Sequence, residues 1–184
     1  MNIEIVNADI FSVKVEAIVN PANKQASLWF GSHINDIIRK KAGKNVIEER
    51  KEKGDIHLGE AVFTSGGNLP VKYIIHAAIL DIFDFNPLFL LKLKQRTKDE
   101  VLKKATIHSL EIAVQLEIKS IAFSPMGAGI GAMPISKCAR IMLSEMLKFR
   151  DSKTRSHLQT IIFCVREKND CSIVKSEWQR LNTA

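Results

Sequence analysis

Cysteine is scarce in this chain. Cys138, Cys164 and Cys171 are the only three in 184 residues, and no two stand in a C-x-x-C pair. An odd, scattered set argues against a disulfide framework and against a cysteine zinc site, and it suits a reducing, cytoplasmic compartment. The five histidines (His33, His57, His76, His108 and His157) are equally dispersed, with no H-E-x-x-H spacing. No metal and no other cofactor is expected. No signal-peptide pattern opens the sequence. Its longest apolar stretch, PLFLLKLK, is far too short to span a bilayer, so no membrane association is expected. Linkers, repeats and low-complexity tracts are also missing, and a single domain over 1–184 accounts for the length.

What is present is an ordinary globular composition, 46% hydrophobic, with mean hydropathy near zero. The formal net charge is +7, which favours an anionic partner. Much of it sits in runs such as RKKAGK (39–44), KLKQRTK (92–98) and FRDSKTR (149–155). Such runs are the usual dress of solvated helix faces, and no RNA-recognition aromatic motif or zinc finger supports a nucleic-acid surface.

Six β-branched runs read as strands: 2–6, 16–20, 60–64, 72–77, 119–124 and 159–165. Several are continuously apolar, as strands buried on both faces are. Helical patterns lie between them. Ile34, Ile37, Ile38 and Ala42 share one face, with Gly43 as the stop. Thr97 to Glu100 reads as a capping box before Val101, Leu102, Ala105 and Leu110. Pro134 opens a helix with Cys138, Ile141, Met142 and Leu147 inward. Asn169 or Asp170 caps a last helix carrying Ile173, Val174 and Trp178. The alternation predicts a three-layer α/β/α domain. Residues 81–95, rich in Phe and Leu and interrupted by Pro87, read either as a core plug or as a flap over a site.

Two loops carry chemistry. SPMGAGIGAMP (124–134) follows a buried strand and leads into a helix. Gly127, Gly129 and Gly131 allow positive φ, so the backbone amides can converge on a phosphate near a helix N-terminus. It lacks G-K-[ST], which argues against a nucleoside-triphosphatase loop, and it is not the G-x-G-x-x-G of a first βα unit. EAIVNPANK (16–24) ends a buried strand in Asn20 and Asn23. These asparagines either cap turns or bond a sugar hydroxyl at the sheet edge where open α/β proteins bind ligands.

IVNPAN (18–23), GEAVFTSGGNLPVKYIIHA (59–77) and SIAFSPMGAGIGAMP (120–134), in this order and spacing, resemble the macro domain family over nearly the whole chain. The resemblance implies a mixed six-stranded sheet between helices and a site for ADP-ribose or a related nucleotide. Some members remove ADP-ribose from proteins or deacetylate O-acetyl-ADP-ribose, so an ADP-ribosylated protein is an implied partner. By position, Asp9 would accept from the adenine N6 amino group and Ile10 would offer its backbone amide. Asn20 would brace the first loop. Asn23 would contact the distal ribose and, if hydrolysis occurs, hold the attacking water. Gly127, Ala128, Gly129, Ile130 and Gly131 would wrap the diphosphate.

The first ligand loop would be Gly31, Ser32, His33 and Ile34, and it departs from the family. His33 stands where glycine is usual, which costs about 1–2 kcal/mol if the site needs positive φ. Asp36, in the first helical turn, would repel a diphosphate if it pointed at the cradle. Asn35 stands about where some hydrolases carry an acid, so acid–base work by that group is not available. Ala128 lacks a hydroxyl that many relatives carry there, and Gly131 lacks the aromatic of others. Trp29, Phe30 or the 81–95 segment would have to replace that packing. Adjacent Ser32 and His33 cannot form a nucleophilic triad, which needs side chains directed from separate elements. Three readings stand: an ADP-ribose site, with hydrolase or deacetylase activity left open; a macro-fold module for nucleic acid or protein that has lost this ligand; and a pocket for a smaller nucleotide.

Overall fold

In the computed structural model, which describes residues 1–26, 33–81, 95–152 and 157–183, the six apolar runs form one sheet. The strands are β1 (Asn2–Val6), β2 (Ala17–Asn23), β3 (Ala61–Ser65), β4 (Tyr73–Leu80), β5 (Ser120–Phe123) and β6 (Thr160–Cys164). Their order is β1-β6-β5-β2-β4-β3. Among the described strands only the β3–β4 pair is antiparallel, so the sheet is mixed.

Alternation along each strand separates two cores. Ala17 and Val19 of β2, Ile75 and Ala77 of β4, and Ile121 and Phe123 of β5 face one side. There they meet α3 (Asp99–Gln115), α4 (Ile135–Asp151) and α5 (Lys168–Thr183). Ile18, Ile74 and Ala122 face the other side, against Ile34, Ile38, Ala42 and Val46. Those four lie on or between α1 (His33–Lys41) and α2 (Lys44–Glu52). The result is three layers, α/β/α, as the macro domain resemblance implies. Gly43, the stop after α1, has φ +97 and leads straight into α2.

Several local expectations change. No capping box forms at α3: Lys98 occupies the N-cap with no side-chain hydrogen bond. Thr97 is instead buried beside the second glycine loop, where Gly131 accepts from the Arg96 and Thr97 amides. Pro134 is the N-cap of α4 rather than its first residue. The last helix begins at Lys168, and Ile173 points outward, 40% exposed, while Val174 is buried. All but the ends of the 81–95 segment, together with Trp29 and Phe30, lie outside the described residues.

Candidate functional site

Neighbouring strands β2 and β5 run parallel, yet the chain leaves them toward opposite faces, to α1 from one and to α4 from the other. Such a divergence opens a crevice at the carboxyl ends of the strands. A cavity of about 350 Å³ lies there. Its walls include Pro21 and Asn23 from β2, Ile79 and Leu80 from β4, Ser124 and Pro125 after β5, and Cys164 to Glu167 at the end of β6.

The two asparagines of β2 do different jobs. Pairing with β4 shifts register between Ala22 and Asn23, so Asn23 falls opposite Leu80. That irregularity re-aims a side chain at the strand end, and Asn23 is buried in the cavity wall. Asn20 does not line the cavity. It is fully buried behind it, where Nδ2 donates to Asn35 Oδ1 at 2.6 Å and lies 3.1 Å from His76 Nδ1. Asn20 is therefore a brace for the start of α1, not a ligand contact.

The chain entering the first loop is tied down at three successive residues. Lys24 Nζ pairs with Asp81 at 2.8 Å, and Gln25 Nε2 donates to the same carboxylate at 2.6 Å. The Ala26 amide donates to Asp55 at 2.8 Å. Arg50 of α2, 1% exposed, donates to the carbonyls of Gln25 and Gly54. Burial lowers its pKa from the ordinary guanidinium value. Gly31 and Ser32 lie outside the described residues.

His33 and Ile34 both line the cavity, with Ile34 buried and His33 exposed. His33 opens α1 as a helical residue, a conformation that calls for no positive φ. Asp36 is not part of the cavity wall. It faces outward and pairs with Arg39 at 3.3 Å, so it does not oppose an anion in the crevice. Asn35 is 1% exposed and turned back onto Asn20.

Gly127 to Gly131 form the opposite lip. The three glycines are not equivalent. Gly127 has φ +93, whereas a Cβ on Gly131 would sit 2.3 Å from Thr97 Oγ1 and 2.4 Å from the Gly127 carbonyl. At Gly129 φ is not positive, and an added Cβ would meet nothing within 4 Å among the described residues, so neither ground for glycine applies there. The unforeseen strained position is Ala132, at φ 54. Its amide donates to the Gly129 carbonyl, and that of Met133 to Gly127. Beneath the loop, Cys138 Sγ donates to the Met126 carbonyl, and burial pushes its thiol pKa well up.

Asp9 and Ile10 stand at the far end. Asp9 Oδ1 accepts from the Phe11 amide at 2.9 Å, an Asx-type turn that fixes the carboxylate. Burial, with the nearby Asp9 charge, raises Cys164 to about 12, so that thiol stays protonated and unreactive. Sequence reasoning missed the β6 end, Cys164 to Glu167, and Asp170. No motif marks them, although the strand-end rule pointed to that edge. Among the described residues no group of three His, Cys, Asp or Glu side chains is arranged to hold a metal, and no helix is long and apolar enough to cross a membrane.

A family model, the macro domain, matches residues 19–142. A protein of Fusobacterium nucleatum is 35% identical over 97% of this chain and 95% of its own length. A Mycobacterium tuberculosis protein is 30% identical over 90% of this chain, which spans only 41% of that longer protein. The Oceanobacillus iheyensis macrodomain with ADP superposes with a TM-score of 0.80, at 25% identity, over 98% of this chain and 92% of that one. A substituted form of the same macrodomain with ADPR gives 0.81, at 25% identity, over 99% and 94%. The layered mixed sheet, the strand-end crevice and these likenesses agree: the chain belongs to the macro domain family.

Proposed function

We propose that the crevice binds ADP-ribose, or a nucleoside diphosphate close to it. The observation that carries this reading is the opposition of two ends across one cavity. At one end the Gly127–Gly131 loop presents its backbone, with side chains only at Ala128 and Ile130; at the other the Asp9 carboxylate is fixed in a turn. Backbone amides meet a diphosphate without the desolvation that a buried lysine would suffer. With Oδ1 engaged by Phe11, Asp9 offers Oδ2 to an exocyclic amine of the base. Asn23, in the wall between β2 and β4, suits the distal ribose. The Oceanobacillus macrodomains with ADP and with ADPR support the same ligand class.

Hydrolysis of ADP-ribosyl linkages, or deacetylation of O-acetyl-ADP-ribose, is the finer part of the proposal. With Asn35 turned away, such chemistry would rest on a water held at Asn23 and on phosphate charge stabilised by the second loop. Incubating an ADP-ribosylated protein with wild type and with Asn23→Ala tests it. Release of ADP-ribose by wild type and its loss in the variant is the expected result; no release by wild type removes the catalytic part and leaves binding. The reading as a nucleic-acid or protein module rested on His33, Asp36 and the positive charge. It loses support from Asp36, which faces away from the crevice.

A further inference from the structure

We infer that Arg50 is a positioning residue for the distal end of the ligand: with Asp55 it fixes the chain that leaves Asn23, and so the place of that side chain in the crevice. This rests on the ADP-ribose reading above and names what sets the grip on the distal ribose. Arg50 follows Val46 by one turn of α2, and both are buried. Val46 packs into the apolar core, whereas the Arg50 guanidinium reaches the chain after β2. Nη1 donates to the Gly54 carbonyl at 2.7 Å and Nη2 to the Gln25 carbonyl at 3.2 Å. One planar fork thus bridges the exit of β2 and the connection from α2 to β3. The same two segments are joined at two more points. The Ile56 amide donates to the Lys24 carbonyl at 2.9 Å, and the Ala26 amide to Asp55 at 2.8 Å. Each of the three residues after Asn23 is therefore tied to the stretch 50–56.

Two observations make this a support for the site rather than a stability contact alone. First, the residue is a charge. Among the described residues no carboxylate bonds the guanidinium, and Asp55 answers it only through space. A buried charge so placed costs more than an apolar side chain of similar volume, so what the arginine supplies is geometry. Second, the fork acts where the sheet stops aiming side chains. Pairing of β2 with β4 is irregular between Ala22 and Asn23, and a strand's register no longer dictates direction past such a break. The bonds just downstream then settle where Asn23 points.

Two variants are titrated with ADP-ribose and with ADP, which lacks the distal ribose, beside wild type and after melting curves. Arg50→Met removes the fork while filling its volume. Asp55→Ala, at an exposed residue, removes the Ala26 bond and leaves the core untouched. Positioning predicts that Arg50→Met binds ADP-ribose about tenfold more weakly and ADP within about twofold of wild type, with Asp55→Ala shifted the same way by about threefold. A merely structural role gives a lower melting temperature with both affinities unchanged, or an equal loss for both ligands, and either result would overturn the inference. If Arg50→Met does not fold, Asp55→Ala decides alone by the same split. In each case wild type still binds and the functional reading survives; a wild type that binds neither ligand at millimolar concentration overturns both.

Discussion

Asn20 spends both hydrogens of its amide nitrogen on buried partners, Asn35 Oδ1 at 2.6 Å and His76 Nδ1 at 3.1 Å. The chain of bonds assigns the imidazole. His76 Nδ1 accepts, so Nε2 carries the proton and donates to Thr64 Oγ1 at 3.0 Å, whose hydroxyl in turn donates to the Ser65 carbonyl. One polar line thus crosses β2, β4 and β3 under the start of α1, and it holds the helix whose first residues line the crevice.

Removing the shared donor takes one buried hydrogen bond from each of Asn35 Oδ1 and His76 Nδ1. Asn20→Ala is expected to cost about 2–4 kcal/mol, since each unsatisfied buried group costs about 1–3 kcal/mol. In a chain of this size that lowers the melting temperature by roughly 5–12 °C. Calorimetric melting checks it, and an unchanged transition would mean that the line carries no stability.

His76 also makes stability depend on pH. Burial, reinforced by the Arg50 charge, lowers its pKa from 6.5 to about 3. Between those values the unfolded chain binds a proton that the folded chain refuses, so stability rises with pH and is complete above 6.5. Falling pH removes it at a limiting slope of about 1.4 kcal/mol per unit. The carboxylates of Glu16, Asp99 and Asp151 are held low by the Lys119 amide, Lys137 and Arg150 respectively, and add acid sensitivity at lower pH. Denaturant unfolding of wild type and His76→Gln between pH 4.5 and 6.5 isolates the histidine. The slope should flatten in the variant; an identical slope would contradict the assignment.

The glycine loop predicts an order of tolerance. Gly129→Ala should leave stability within about 0.5 kcal/mol of wild type, as open surface positions do. Gly131→Ala meets Thr97 Oγ1 and the Gly127 carbonyl and must displace the lip, at a cost of about 1–3 kcal/mol for overpacking. Equal melting temperatures for the two would show that this close approach is not real.

Ala132 supplies the opposite sign. Its φ of 54 is a region that glycine enters freely, so Ala132→Gly should stabilise by up to about 1 kcal/mol. Glu117, at φ 52 just past α3, should gain similarly from Glu117→Gly. Destabilisation by both would argue against these backbone angles.

Asp36 faces Arg39 rather than the crevice. Asp36→Asn is therefore expected to leave ligand affinity within about twofold, its charge being exposed and screened. A clear tightening would restore the repulsive role that the sequence suggested.

The central strands were legible because buried strands such as β2 and β4 must be apolar on both faces, and the edge strands β1 and β3 by their β-branched runs. The glycine lip of the crevice was legible in Gly127 and Gly131, yet the sequence could not separate them from Gly129. That distinction comes from Thr97, which is distant in the chain and packs beneath the loop. Thr97 itself looked like a helix cap because local spacing cannot show that tertiary packing has claimed the side chain. Residue type alone could not separate Asn20 from Asn23, because the partners of Asn20, His76 and Asn35, come from other elements; the family resemblance is what assigned it the bracing role. Arg166 carried no motif at all, and only convergence of strand ends brings it to the cavity.

The most direct test of the account is calorimetric titration of the wild-type chain with ADP-ribose, repeated with ADP and AMP. One binding event per chain is expected, tightest for ADP-ribose and weakest for AMP, which lacks the second phosphate and the distal ribose. Silence toward both ADP-ribose and ADP at millimolar concentration would contradict it.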